Sequence, residues 1–208
     1  VFILPFYAVL LMKKYIKPQH IMLFPLTYAV SVTPAVIAGR PFIDTLTLYF
    51  KQTGSIGDGL NYNSSSIFAI FDKLTPKDNV SAVFIIIAFI YMFSVLVPAF
   101  FSRKELGRKD MLVILYLLAA GIPFFLPHMH ERYFYAADIF SLALAFAVQL
   151  CFPVALLVQF ASLLGYHAYL KMRYLLLMNH GAAALIAAFA LTLLCFIGAI
   201  REGLPKRR

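Results

Sequence analysis

At 208 residues the chain is long enough for one or two soluble domains, but 62% apolar residues, 13% charged residues and a mean hydropathy of +0.86 exclude that class. Soluble domains carry roughly 45–50% apolar and about 25% charged residues. The same composition excludes a disordered chain, a disulfide scaffold and a coiled coil, and bilayer rules replace core-packing rules. The formal charge of +9 does not point to nucleic acid, because the cations fall in clusters between hydrophobic runs: Lys13, Lys14 and Lys17; Arg103, Lys104, Arg108 and Lys109; Arg201, Lys206, Arg207 and Arg208. That spacing is the positive-inside pattern of cytoplasmic loops.

A bilayer-spanning helix needs about 20 apolar residues. The run 1–12 reads as the end of a span truncated by the start of the chain, which begins at Val1. Runs 21–38, 80–101, 111–126 and 178–200 each read as a span. The stretch 138–170 is too long for one helix, and Pro153 interrupts it after Gln149 and Cys151. Proline breaks a helix, so two helices are predicted, about 138–150 and 153–170. Parity agrees, because with this split all three basic clusters and the C-terminus are cytoplasmic, while Lys171 and Arg173 stay on the outer side. The predicted fold is an all-α membrane protein: one multi-span domain over 1–208, with about six full transmembrane helices plus a truncated N-terminal one. Ala184 and Ala188 give the last span small-xxx-small spacing for close helix packing. Cys151 and Cys195 sit in apolar runs and read as small buried hydrophobes.

Segment 39–79 is the one long non-spanning stretch, and parity makes it extracytoplasmic. Phe42, Leu46, Tyr49 and Phe50 form a helical stripe, and Ile67, Ile70, Phe71 and Leu74 form a second, stopped by Pro76. Two amphipathic interfacial helices are predicted, joined by a polar turn from Gly54 to Ser66 that carries Asp58, Asn61, Asn63 and the run Ser64-Ser65-Ser66. That turn reads as solvated loop or as a lid over a site at the outer face.

The loop 127–137 is the densest chemical feature. Pro127-His128-Met129-His130-Glu131-Arg132-Tyr133-Phe134-Tyr135, then Asp138, places two imidazoles, two carboxylates, a guanidinium and two phenols at the outer end of two helices. Zinc pairs on a helix favour the i, i+4 spacing of His-Glu-x-x-His, which is absent. An interfacial belt with a Glu131–Arg132 pair is the structural reading. Anion recognition is the functional one, because a guanidinium fork matches phosphate oxygens and keeps its charge near lipid. Gln149, Gln159 and His167 are the internal polar groups expected within the spans, and the lack of a carboxylate among them weighs against an ion-coupled transporter.

The run Met129-His130-Glu131-Arg132-Tyr133-Phe134, leading into Ala137-Asp138, resembles a motif of bacterial mannosyltransferase-like multi-span proteins. That family is related to the second mannosyltransferase of GPI-anchor synthesis, in the C superfamily of glycosyltransferases. Gly39-Arg40-Pro41-Phe42-Ile43-Asp44, Leu48-Tyr49-Phe50-Lys51-Gln52 and Asn63 resemble its outer loop, although Asn63-Ser64-Ser65-Ser66 departs from an Asn-Ala-Pro-Asn-like run. The resemblance covers about residues 20–150. It implies transfer of a sugar from a polyprenyl-phosphate donor to a lipid or glycan acceptor at the extracytoplasmic face of the cell membrane. The family places its general base on an earlier outer loop, so the chain is expected to be a C-terminal portion. The resemblance makes His130, Glu131, Arg132, Tyr133, Tyr135, Asn63 and Gln52 the expected substrate-binding residues. Arg132 would hold the donor phosphate with help from His130, Glu131 would orient Arg132 or accept a hydroxyl, and the tyrosines would line the sugar or prenyl path. The implied partners are the bilayer, the donor and the acceptor. The sequence demands no cofactor and leaves room for a divalent metal. A non-enzymatic lipid- or partner-binding subunit and a lipid flippase or transporter are the alternatives.

Overall fold

A computed structural model describes residues 2–53, 59–71, 78–103 and 105–203. The side chains of Tyr49 to Thr53, Asp78 and Cys195 to Gly203 lie outside that description. The chain divides into two compact units, Leu10–Asp58 and Val1–Val9 with Gly59–Arg208.

The smaller unit contains α2 (Leu23–Ile37), entered through a 3-10 turn at Pro18–Met22, and α3 (Phe42–Thr53). The Tyr28 hydroxyl reaches the Thr45 and Leu46 carbonyls of α3 at 3.3 and 3.4 Å. Met22, Leu23, Phe24, Leu26 and Val30 are all exposed, an apolar surface suited to lipid and not to water. The first expected amphipathic helix is present as α3.

The larger unit is a helical bundle, and α1 (Leu4–Met12) contributes buried Phe6 and Val9 to it. Its main helices are α4 (Asp78–Phe101), α5 (Arg108–Phe125), α6 (Tyr135–Ala147), α7 (Phe152–Lys171) and α8 (Met178–Gly203). The core centres on α5, where Ile114, Tyr116, Leu117 and Leu118 are fully enclosed. Ala184 and Ala188 are buried on α8 as small residues at a close packing face should be. Cys151 is buried as expected. On α4 the large residues Ile86, Phe89, Ile90, Phe93 and Val97 face outward, again suiting lipid.

The long stretch breaks where proline demands it. α6 ends at Ala147, Val148 is extended, a 3-10 turn takes Gln149–Cys151, and Pro153 lies in the first turn of α7. Proline suits that place because its missing N–H is unbonded there in any case.

One expectation is met in part and one needs correction. The fold is all-α, and among the described residues three helical stretches are long and apolar enough to cross a membrane: Pro18–Ile37, Asn79–Phe101 and Gln149–Lys171. The expected six full spans go beyond these three. α5 begins on Arg108, Lys109 and Asp110, and the 13 residues of α6 rise about 20 Å, against a hydrocarbon core of about 30 Å. The second amphipathic helix needs correction: among the described residues of that stretch the chain forms a 3-10 turn, Ile67–Ala69, which buries Phe68 against Phe84 at 4.6 Å while Ile70 and Phe71 stay exposed. Leu74 of that stripe lies outside the described residues.

Candidate functional site

At one end of the bundle the stretch leading into Asn63 meets the charged motif. Strand β1 (Asn61–Tyr62) pairs in parallel with β2 (Met129–His130), Asn61 opposite Met129 and Tyr62 opposite His130. Two residues per strand make a weak ladder, so side chains secure it. The Tyr62 and His130 rings stack at 4.7 Å and 17°. The His128 backbone N–H donates to the Leu60 carbonyl at 2.8 Å, and its Nδ1–H donates to the Gly59 carbonyl at 2.8 Å. His128 holds φ +61°, a left-handed conformation in which histidine is one of the better-tolerated residues. The Gly59 N–H donates back to the Tyr62 hydroxyl at 2.9 Å.

The serine run that follows β1 is not a solvated lid, which corrects the sequence reading. Ser64, Ser65 and Ser66 are all buried. Asn61 folds over them: its Oδ1 accepts from the Ser64 N–H at 3.1 Å and from the Ser64 hydroxyl, and its Nδ2 donates to the Ser64 carbonyl at 3.0 Å. The Ser65 hydroxyl donates to the Ala161 carbonyl of α7 at 3.0 Å and presses on Gly181 of α8. Asn63 turns the chain at φ +54°, which asparagine tolerates, and its Oδ1 accepts from the Tyr174 hydroxyl at 2.9 Å. Gly165 on α7 admits this loop, since a Cβ there would stand 2.8 Å from the Asn63 carbonyl oxygen and 3.0 Å from Glu131 Cβ.

The expected site residues thus divide. Asn63, His130, Glu131, Arg132, Tyr133 and Tyr135 gather at this end of the bundle, on β1, β2, a 3-10 turn at Glu131–Phe134 and the start of α6. Arg132 is exposed, with its guanidinium 5.8 Å from the Tyr133 ring centre. Tyr133 also meets Phe2 edge-on at 6.2 Å, and Tyr135 is exposed. Partial burial holds the His130 imidazole below its ordinary range; Arg132 lowers it further and Glu131 opposes this. Glu131 turns the other way. Its side chain is buried and its Oε2 has no hydrogen-bond partner, so it does not orient Arg132. Gln52 belongs to α3 in the other unit, and its side chain lies outside the described residues.

Asp138, one turn into α6, is buried too, and the Ser162 hydroxyl donates to its Oδ1 at 2.5 Å. Two carboxylates, Glu131 and Asp138, are thus buried at this end of the bundle. The sequence offered one signal for the residues it missed. Gly165 and Gly181 stand inside otherwise helical runs, where glycine costs about 1 kcal/mol relative to alanine and marks close approach. Among the described residues no three His, Cys, Asp or Glu side chains gather as metal ligands.

Beside this end lies an open cavity of about 500 Å³, walled by Asn61, Asn63, Phe71, Tyr174, Met178 and Asn179 among others. Arg132 and His130 do not line it. Comparison with protein-family models, with curated proteins and with solved structures finds no match.

Proposed function

We propose that the chain works in a membrane glycosyltransferase that moves a sugar from a polyprenyl-phosphate donor to an acceptor at the extracytoplasmic membrane face. The observation that carries this reading is the union of the Asn61–Ser66 loop with the Met129–Arg132 motif through the β1–β2 pairing. The motif carries the mannosyltransferase resemblance, Asn63 is the one residue of the outer-loop resemblance in this loop, and nothing in their separation along the chain requires them to touch. The exposed Arg132 offers a phosphate the planar fork it prefers, with Tyr133 behind it and the His130 ring 6.0 Å from Tyr133. The neighbouring cavity has a size common for small-molecule sites, and its asparagines suit sugar hydroxyls while Phe71 and Met178 supply apolar wall. A proton acceptor for the attacking hydroxyl would come from an earlier outer loop.

The buried Glu131 and Asp138, at the same end of the bundle as Arg132, favour a second reading, ion-coupled transport, since carboxylates facing the interior of a membrane bundle mark ion paths. Sugar transfer separates the two. In membranes holding equal amounts of protein, Arg132→Ala should cut transfer from a labelled lipid-phosphate sugar roughly ten- to a hundredfold, the worth of one charge-assisted contact. Arg132→Lys should also lose heavily, because it keeps charge without the fork. Wild-type transfer by Arg132→Ala would remove the phosphate role, and no transfer by any variant, wild type included, would favour transport.

A further inference from the structure

The run from Tyr169 to Leu177 closes α7 and leads into α8, and every residue in it is exposed. All but Lys171 and Arg173 are aromatic or apolar, with Leu170 at 72% and Met172 at 86% exposure. The segment is nonetheless seated on the bundle. Met172 ends α7 in a left-handed conformation at φ +51°, the His167 Nδ1–H donates to the Arg173 carbonyl at 3.2 Å, and the Tyr174 hydroxyl donates to Asn63 Oδ1 at 2.9 Å. Met178, the next residue, is buried. A continuous exposed run of this composition does not suit water. A backbone that is not helical from Met172 to Leu177 does not suit hydrocarbon either, where unpaired N–H and C=O groups are costly. The headgroup layer satisfies both demands, because it hydrates backbone and takes apolar side chains into its inner edge. The two cations have no carboxylate near them in the chain, since residues 139–201 contain no Asp or Glu, and Glu131 and Asp138 at this end are buried. The positive-inside rule does not account for them, because by that rule the dense basic clusters put this segment on the opposite face.

We propose that the Tyr169–Leu177 segment is a docking surface for anionic phospholipid, with Lys171 and Arg173 at the headgroup phosphate and Leu175 to Leu177 among the upper acyl chains. The charge of the surface decides the partner. The guanidinium fork matches phosphate oxygens, the ammonium adds a second positive charge two residues away, and no acidic side chain in the run opposes them. Tyr174 and Leu177 also wall the open cavity, so the docked lipid surface reaches the cavity rim. The inference rests on the membrane reading of the chain and on neither sugar transfer nor transport.

The sequence holds no tryptophan, so Leu176→Trp places a single fluorescent reporter in the segment. The full chain carrying it is reconstituted in phosphatidylcholine nanodiscs in which a small fixed fraction of the lipid is brominated on its acyl chains, as phosphatidylcholine or as phosphatidylglycerol. Both should quench. Brominated phosphatidylglycerol should quench as though enriched roughly five- to twentyfold at the reporter, the attraction of one to two basic side chains. That excess should vanish in the Lys171→Gln, Arg173→Gln double variant, while quenching by phosphatidylcholine persists. Should Leu176→Trp not fold, Leu170→Trp at the exposed end of α7 takes its place. Equal quenching by the two lipids, or an excess that survives the double variant, would overturn the proposal. Quenching by neither would overturn it too, by placing the segment outside lipid and favouring a protein partner.

Discussion

The Tyr62 ring covers the His130 imidazole at 4.7 Å and 17° from parallel, which makes this pair the side-chain clasp between the outer loop and the charged motif. The two-residue β pairing beside it could not secure either segment alone, because short isolated ladders are marginal in water. The stack also shields the imidazole, and desolvation is the first cause of its lowered pKa.

That relation has a measurable sign. Tyr62→Ala should expose the ring and move the His130 titration upward, toward the ordinary value of about 6.5. Arg132→Ala should also move it upward by removing a like charge, whereas Glu131→Gln should move it downward. Because the folded pKa is depressed, the unfolded chain takes up the proton first. His130 thus favours the folded state above the unfolded pKa, and that contribution falls as pH drops through this value. NMR titration of histidine-labelled protein in detergent reads all three shifts. A Tyr62→Ala titration that stays in place would show that the stack does not set the environment of His130.

Gly165 is where α7 yields to the loop. A methyl group there would meet the Asn63 carbonyl oxygen at 2.8 Å, and backbone cannot swing aside as a side-chain tip can. Gly165→Ala should therefore destabilise by about 1–3 kcal/mol through overpacking, although alanine is the better helix former. The unfolding midpoint should fall by roughly 3–10 °C. An unchanged midpoint would mean that the Asn63 turn does not rest on α7.

Where one residue forces the backbone, the sequence was readable. Pro153 cannot continue a helix, and the chain breaks just before it, at Val148–Cys151. The stripe from Phe42 foretold α3 for a similar reason, since periodicity there has no competitor. The stripe from Ile67 had one, because burying Phe68 against Phe84 takes the 3-10 turn Ile67–Ala69, while Ile70 and Phe71 stay exposed beyond it. The serines were misread because polar composition reports on solvation only when no apolar partner is near. Ser65 finds Ala161 and Gly181, residues far along the chain that no local pattern connects to it. The six gathered site residues were legible as chemistry, but the opposite burial of Glu131 and Arg132 was not. Which way adjacent side chains turn depends on the 3-10 geometry of Glu131–Phe134 and on the room left by Gly165.

The last prediction fixes the bundle in the membrane. The β1 segment, the 126–134 turn and the segment after α7 share one end, as the β1–β2 pairing and the Tyr174–Asn63 hydrogen bond require. The connection from α4 to α5 lies one helix length away along α5, and it carries Arg103 and Glu105. The sequence places Lys104 beside them and Arg108 and Lys109 just beyond, the densest internal basic cluster of this unit. Short loops rich in Lys and Arg stay cytoplasmic, so the end carrying Arg132 and Tyr174 should be extracytoplasmic. Tyr174 and Glu105 are both exposed, which makes them better reporters than the buried Ser65. With Cys151 and Cys195 replaced by alanine, Tyr174→Cys should react with an impermeant thiol reagent added to intact cells. Glu105→Cys should react only after the membrane is opened. Reaction of both from outside would sink the antiparallel path of α4 and α5 across the bilayer. The reverse pattern would keep that path, invert the protein and remove the extracytoplasmic placement on which the proposed donor site depends.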